Sequence, residues 1–295
     1  MSTVSITLTS QEIEDLKNRY SQAHFCKTPP HALYQFKLSD CTITAYKSKK
    51  VVFQGEGAAF HASSYQPAQV VVQNSKLPTS IYPQCGSDEV GTGDYFGPII
   101  VCAAYVSEDQ VSFLQSLGIQ DSKEISDDTI RKLGPQLISQ VAHSLLILNN
   151  EKYNDIHPSN NMVAIKAKLH NMAYIHLQKK LGALPQLCII DQFVQKSSYY
   201  RYLKQEQMVI QDLHFETKAE NKYLSVATAS IIARYAFLKA FDAMCSHYHF
   251  QFLKGAGKNV DENIKVFVEK YGKDELRKVA KLHFANTKKV GIHTL

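Results

Sequence analysis

Residues 88–98 read Asp-Glu-Val-Gly-Thr-Gly-Asp-Tyr-Phe-Gly-Pro. Asp88 and Glu89 run directly into a Gly91-Thr92-Gly93 turn, and the apolar run Ile99–Val106 follows. Neighbouring side chains on an extended strand point to opposite faces, so a plain strand does not aim both acids at one place. Glycine beyond them lets the backbone bend and lets a ligand come close. Acid beside open backbone suits a divalent cation that holds a phosphate. The same residues taken alone also describe a solvated acidic turn before a buried strand, so partner carboxylates elsewhere decide the matter.

Two more acids stand in suitable places. Leu187-Cys188-Ile189-Ile190 reads as a buried strand and ends in Asp191. Ligands in open α/β sheets bind beyond the carboxyl ends of strands. Val209–Phe215 reads as another strand, followed by Thr217-Lys218-Ala219-Glu220 and an Ala-rich helix over Ser225–Phe241. Glu220 thus falls near a helix start, where the macrodipole favours negative charge. A turn or cap for Asp191 and a dipole pairing for Glu220 are the structural alternatives.

Two unit charges about 4 Å apart repel by about 4 kcal/mol at an effective dielectric near 20. Four converging carboxylates therefore need protons or cations. Mg²⁺ takes one or two carboxylates together with phosphate oxygens. Two such ions about 3.5–4 Å apart stabilise both the attacking and the leaving oxygen of a phosphodiester.

These residues resemble the type 2 ribonuclease H superfamily. The matching runs are Asp88 to Pro98, Asp121-Ser122-Lys123, the strand-end Asp191, Lys218-Ala219-Glu220 with the helix Val226–Arg234, and Gly255-Ala256-Gly257 with Val260-Asp261. They cover about residues 82–295 in the family's order. Glu220 in place of the Asp usual in ribonuclease HII, Thr92 in place of Arg or Lys, and an N-terminal extension make the chain more similar to ribonuclease HIII. The resemblance implies hydrolysis of the RNA strand of RNA–DNA hybrids with Mg²⁺ or Mn²⁺, leaving 3′-hydroxyl and 5′-phosphate ends. By position it makes Asp88, Glu89, Asp191 and Glu220 the catalytic, metal-binding acids. It brings Gly91, Thr92 and Gly93 to the ribose 2′-hydroxyls, the group that separates RNA from DNA, and Ser122 and Lys123 to the substrate near the scissile phosphate. The motifs place no counterpart of the junction-reading tyrosine of ribonuclease HII, so the resemblance does not extend to single embedded ribonucleotides.

The chain has 295 residues, with 33 Lys and Arg against 27 Asp and Glu, a net charge of +6. That excess suits a polyanionic partner, as it does many ordinary enzymes. Six cysteines without C-x-x-C spacing point to buried thiols in a reducing cytoplasm. No charged-then-apolar leader opens the sequence, and the run Ile99–Val106 is far short of a membrane span. A monomer without membrane or obligate protein partner is expected. The histidines lack an H-E-x-x-H arrangement and the glycines lack a P-loop order, which disfavours zinc hydrolase and nucleotide-binding readings. Two rivals remain: another polynucleotidyl nuclease, and a hybrid-binding module without catalysis.

The elements that must position the acids divide into two domains. In residues 1–66, Ser2–Thr9 alternates like a strand and Thr9 with Glu12 forms a capping box opening a helix to about Gln22. Ala32–Leu38, Cys41–Tyr46 and Lys50–Gln54 then form a meander. This β-α-β-β-β unit resembles half of a TATA-binding-protein fold and is expected to bind substrate, with Tyr46, Lys47, Lys49 and Lys50 as a basic cluster or simply a solvated turn. Residues 67–80, with Pro67 and Pro78, read as a linker. Residues 81–295 read as an α/β domain with an RNase H-like mixed sheet flanked by helices. Its strands are Ile99–Val106, Ser144–Leu148 and the runs ending at Asp191 and Phe215; its helices are Glu108–Leu117, Asp127–Ala142 capped by Ser126, and Asn161–Leu181. Lys254 and Lys258 flank a glycine loop that either contacts phosphate or is merely solvated, and His283 reads as a partly buried structural histidine.

Overall fold

A computed structural model of the chain describes residues 3–20, 24–25, 28–55, 57–63, 65, 81–119 and 125–292. Asp121, Ser122 and Lys123, and the expected linker at 67–80, lie outside the described residues. The chain divides into two compact units, Met1–Lys76 and Leu77–Leu295.

In the first unit the strands are β1 (Thr3–Thr7), β2 (His24–Phe25), β3 (Ala32–Lys37), β4 (Thr42–Tyr46) and β5 (Lys50–Gln54), and the helices are α1 (Ser10–Arg19) and α2 (Ala58–Ser63). The sheet is antiparallel in the order β1-β5-β4-β3-β2. Thr9 and Glu12 close the capping box, and α1 ends at Arg19, a turn earlier than its sequence indicates. The alternation of the strands sorts their side chains. Tyr34, Phe36, Ile43, Ala45, Val51 and Phe53 meet Ile13 and Leu16 of α1 in one core. The registers then put Thr3, Ser5, Thr7, Gln35, Lys37, Thr42, Thr44, Lys50 and Gln54 on the opposite face.

The second unit contains β6 (Gln84–Val90), β7 (Ile99–Val106), α3 (Val111–Ser116), α4 (Asp127–Gln140), β8 (His143–Leu148), α5 (Asn150–Ile156), α6 (Met162–Leu181), β9 (Leu187–Asp191), α7 (Lys196–Tyr202), β10 (His214–Glu216), α8 (Leu224–Tyr248), α9 (Lys258–Tyr271), α10 (Lys273–Val279) and α11 (Ala285–Lys289). Its sheet runs β10-β9-β6-β7-β8 and is mixed: β6 pairs antiparallel with β7 but parallel with β9. Period-2 alternation divides β7 between two cores. Ile100, Cys102, Ala104 and Val106 pack with α4 and α8, whereas Val101 and Ala103 pack with α6.

Two local readings differ from the sequence expectation. The strand expected over Val209–Phe215 is reduced to His214–Glu216, because the backbone at 208–210 is taken by a side chain. Asn171 of α6 donates to Met208 O at 2.8 Å and accepts from Ile210 N at 2.9 Å. The helix expected over Ser225–Phe241 continues to Tyr248. By length and composition α8 could cross a bilayer, but 72% of its apolar window is buried inside the protein. It is a core helix.

Candidate active site

The acids are placed by strand register. β6 and β9 are parallel neighbours, with Ser87 opposite Ile190 as the last paired step. Asp88 and Asp191 each stand one residue further on. Within β6 the side chains alternate, so Asp88 and Glu89 leave the sheet on opposite faces. Asp88 faces α8, where it bonds Ser230. Glu89 faces α6, where it meets Lys166 and His170. Asp191 shares the α8 side of the sheet, since Leu187 and Ile189, four and two residues before it, pack with Val226.

Glu220 arrives by a different route. β10 lies parallel to β9 with Glu216 opposite Asp191. The chain then turns through Lys218, whose φ of 55° and ψ of 42° are left-handed. A non-glycine residue pays about 1–2 kcal/mol for that conformation. The turn aims Ala219 N at Asp191 Oδ1, 2.9 Å away, and sets Glu220, 1% exposed, on the single helical turn that precedes α8. Asp88 and Asp191 thus stand together beyond the shared end of β6 and β9 on the α8 side of the sheet, with Glu89 across the strand, and Glu220 follows directly on the residue whose N–H holds Asp191.

Electrostatics bear the mark of that gathering. Burial, with the charges of Glu89 and Asp191, pushes the Asp88 carboxyl up to about 8 against the pull of Ser230. Burial also acts on Glu89, but His170 and Lys166 outweigh it and hold that carboxyl below its usual range. One member of the set therefore keeps a proton and another is matched by a cation. The donors are all carboxylate oxygens, the hard ligands that Mg²⁺ and Mn²⁺ take. A dication would offset the repulsion that raises Asp88, so the residues fit such an ion. Among the described residues no three His, Cys, Asp or Glu side chains already stand as a ligand cage, and both oxygens of Glu89 are engaged by α6.

The glycine turn joins β6 to β7. Gly91 has φ of +90° and Gly97 of +83°, and a Cβ at 91 would run into Pro98 O and the ring of Phe237. Gly93 differs. Its φ is not left-handed, it is exposed, and a Cβ there would meet nothing within 4 Å. Beyond it the loop is fastened from behind. Gly255 N donates to Asp94 Oδ1 at 2.6 Å and Tyr95 N to Gly255 O at 2.8 Å. The Lys281 ammonium, 0% exposed, donates to Asp94 O at 2.7 Å and Gly97 O at 2.5 Å.

Sequence reasoning overlooked Lys166, His170 and Lys281. The first pair had a faint signal, Lys and His four residues apart and so on one face of a helix. Lys281 had none, because its partners are backbone carbonyls nearly two hundred residues away. Lys254, beside the glycine loop, pairs with Asp127 and stays 45% exposed. His283 is a structural histidine, bonded to Tyr153 OH at 2.9 Å and stacked on His157 with ring centroids 4.1 Å apart.

The chain is similar to known proteins over nearly its whole length. A family profile described as Ribonuclease HII matches residues 85–287, and one described as a domain of unknown function (DUF3378) matches residues 3–77. Ribonuclease HIII of Bacillus mycoides (strain KBAB4) is 43% identical over 301 residues, covering 97% of this chain and 96% of the relative. A crystal structure of Bst-RNase HIII in complex with Mn²⁺ superposes with a TM-score of 0.71 at 38% identity, covering 98% of each chain. RNase H3 of Aquifex aeolicus, 22% identical with a TM-score of 0.57 and covering 95% of this chain and 99% of its own, shares the fold. Identity of 43% across 97% of the chain cannot arise from a common scaffold alone, and the chain belongs to the ribonuclease HIII family of ribonuclease H hydrolases.

Proposed function

We propose that this ribonuclease H, an endonuclease for RNA–DNA hybrids, cuts the RNA strand by two-metal-ion catalysis and leaves 3′-hydroxyl and 5′-phosphate ends. Asp88 and Asp191, with Glu89 and Glu220, would hold the ions. When bound, paired Mg²⁺ or Mn²⁺ ions supply an activated water and offset charge on the leaving oxygen. The protein's own contribution is placement. Strand register sets Asp88 beside Asp191, and the Ala219 N–H holds the Asp191 carboxylate while delivering Glu220. That shared end of β6 and β9 is the observation that carries the reading.

Substrate choice falls to the turn at 91–93. Nothing in the protein's packing requires glycine at 93, and a bare, exposed backbone there admits a ribose 2′-hydroxyl at close range. The N-terminal unit adds affinity through its sheet and the lysines at 37, 47, 49 and 50. Cys41, Cys85, Cys102 and Cys188 are buried free thiols, which supports work in a reducing cytoplasm, and the enzyme acts as a monomer.

A direct test compares a uniform RNA–DNA hybrid with duplex DNA, duplex RNA and a single-ribonucleotide duplex, each with Mg²⁺, Mn²⁺ or a chelator. Cleavage of the hybrid alone, lost on chelation, is expected. Equal cleavage of duplex DNA would sink the assignment in favour of another polynucleotidyl nuclease.

A further inference from the structure

Glu89 is held by two groups from one face of α6. Its Oε1 is ion-paired to Lys166, both side chains being 12% exposed. Its Oε2 accepts from His170 Nε2 at 2.8 Å. The two arrangements are not alike. His170 is 0% exposed and its other ring nitrogen lies 2.8 Å from Ser87 Oγ, so the imidazole is bonded at both ends. Nε2–H donates to the carboxylate while Nδ1 bonds the Ser87 hydroxyl, a chain that fixes the ring. Phe193 stacks on it, with centroids 5.2 Å apart and planes at 29°.

Lys166 has no such lock. While paired with Glu89, its ammonium also lies 4.0 Å from the centroid of the same Phe193 ring, a cation–π contact that does not depend on the carboxylate. A flexible four-carbon stem lets the ammonium move. A cation and a metal ion compete for the same oxygen, because an ammonium on Oε1 occupies the position and the charge that a metal would use.

We propose that Lys166 is a built-in counter-cation of the metal site: it neutralises Glu89 before metal binds and withdraws from Oε1 when metal arrives, while His170 keeps Oε2. Glu89 then serves as a ligand through one oxygen. This inference rests on the reading of Glu89 as a metal ligand.

The test is Mn²⁺ titration by calorimetry, with thermal unfolding with and without Mn²⁺, on the full chain. Linkage between the two cations is reciprocal. Lys166→Met should lower the melting temperature of the metal-free protein, enlarge the rise on adding Mn²⁺, and tighten Mn²⁺ binding by roughly fivefold or more. A packing role alone would lower both melting temperatures equally and leave affinity unchanged. Lys166→Arg, which keeps the charge and can grip both oxygens, should bind Mn²⁺ more weakly than the parent. In a Glu89→Gln background Lys166→Met should no longer change Mn²⁺ affinity. A parent that binds Mn²⁺ while Lys166→Met binds it equally or less well would overturn the counter-cation role. A parent that binds no Mn²⁺ would overturn the carboxylate site itself.

Discussion

Asp88 and Asp191 stand one residue beyond the last paired step of two parallel strands, on the same side of the sheet. More than a hundred residues separate them in the chain, yet register alone makes them neighbours, and the charge of Asp191 helps to raise Asp88. Parallel pairing is what permits this. An antiparallel β9 would have put Asp191 at the far end of β6.

Asp191→Asn keeps the shape of the side chain and its bond from Ala219 N while removing the charge. Hybrid cleavage with Mg²⁺ should fall about a thousandfold or more, near 4 kcal/mol of transition-state stabilisation, with hybrid binding in a gel-shift assay preserved. Cleavage at the parent rate would show that Asp191 holds no metal.

The raised Asp88 makes the metal-free protein sensitive to pH. The folded carboxyl titrates near 8 against 3.8 for the ordinary group, so between those values the folded state holds a proton that the unfolded state has lost. Stability from this group is full below about pH 4 and drains away as pH rises toward 8. In chelator, Asp88→Asn should therefore gain stability relative to the parent between pH 5 and 9, by at most a few kcal/mol. Parallel melting curves across that range for the two proteins would rule out the shift. Metal binding must expel the same proton, so Mn²⁺ affinity should climb with pH up to about 8.

The two glycines of the turn should respond oppositely. Gly91→Ala forces a Cβ into left-handed backbone against Pro98 O and Phe237, and should cost about 1–2 kcal/mol or more in a denaturation experiment. Gly93→Ala meets nothing in the protein, so the melting temperature should hold or rise slightly. Its methyl group stands where the 2′-hydroxyl is proposed to approach, so KM for the hybrid should rise. Unchanged kinetics in Gly93→Ala would remove this turn from substrate recognition.

Lys281 is buried under the loop, and burial lowers its ammonium to about 7. A neutral amine still offers two N–H groups, one for each of the Asp94 and Gly97 carbonyls. Lys281→Met leaves both carbonyls without that donor and should cost about 1–3 kcal/mol. The sign of the pH effect is opposite to that of Asp88. The unfolded lysine binds a proton up to about 10.5 while the folded one releases it near 7, so this group adds stability as pH rises across that window. The gap between parent and variant should widen from pH 7 to pH 10 in chemical denaturation, and a constant gap would mean that Lys281 is charged throughout.

Removing residues 1–78 tests the N-terminal unit. If its sheet and lysines contact phosphate, the truncated enzyme should show a higher KM and a shallower decline of hybrid affinity with salt. Identical salt slopes would exclude such contacts.

The sequence by itself determined the order of the motifs, the capped helices at Thr9 and Ser126, and the strands whose alternation is unbroken, and it singled out the four acids as candidates. All of these are local, written in residue type and spacing. Even the expectation that Asp88 and Glu89 face opposite ways follows from the pleat of a strand. Tertiary structure decided which face each acid looks onto, and therefore which cation it meets: Glu89 turned to Lys166 and His170, Asp88 left to Asp191 and a proton. It also shortened the strand before Glu216, because Asn171 took the backbone bonds that a ladder would have used, and it buried Lys281 beneath carbonyls remote in sequence. Charge state and backbone pairing depend on what folding brings within a few ångströms, and no local pattern carries that distance.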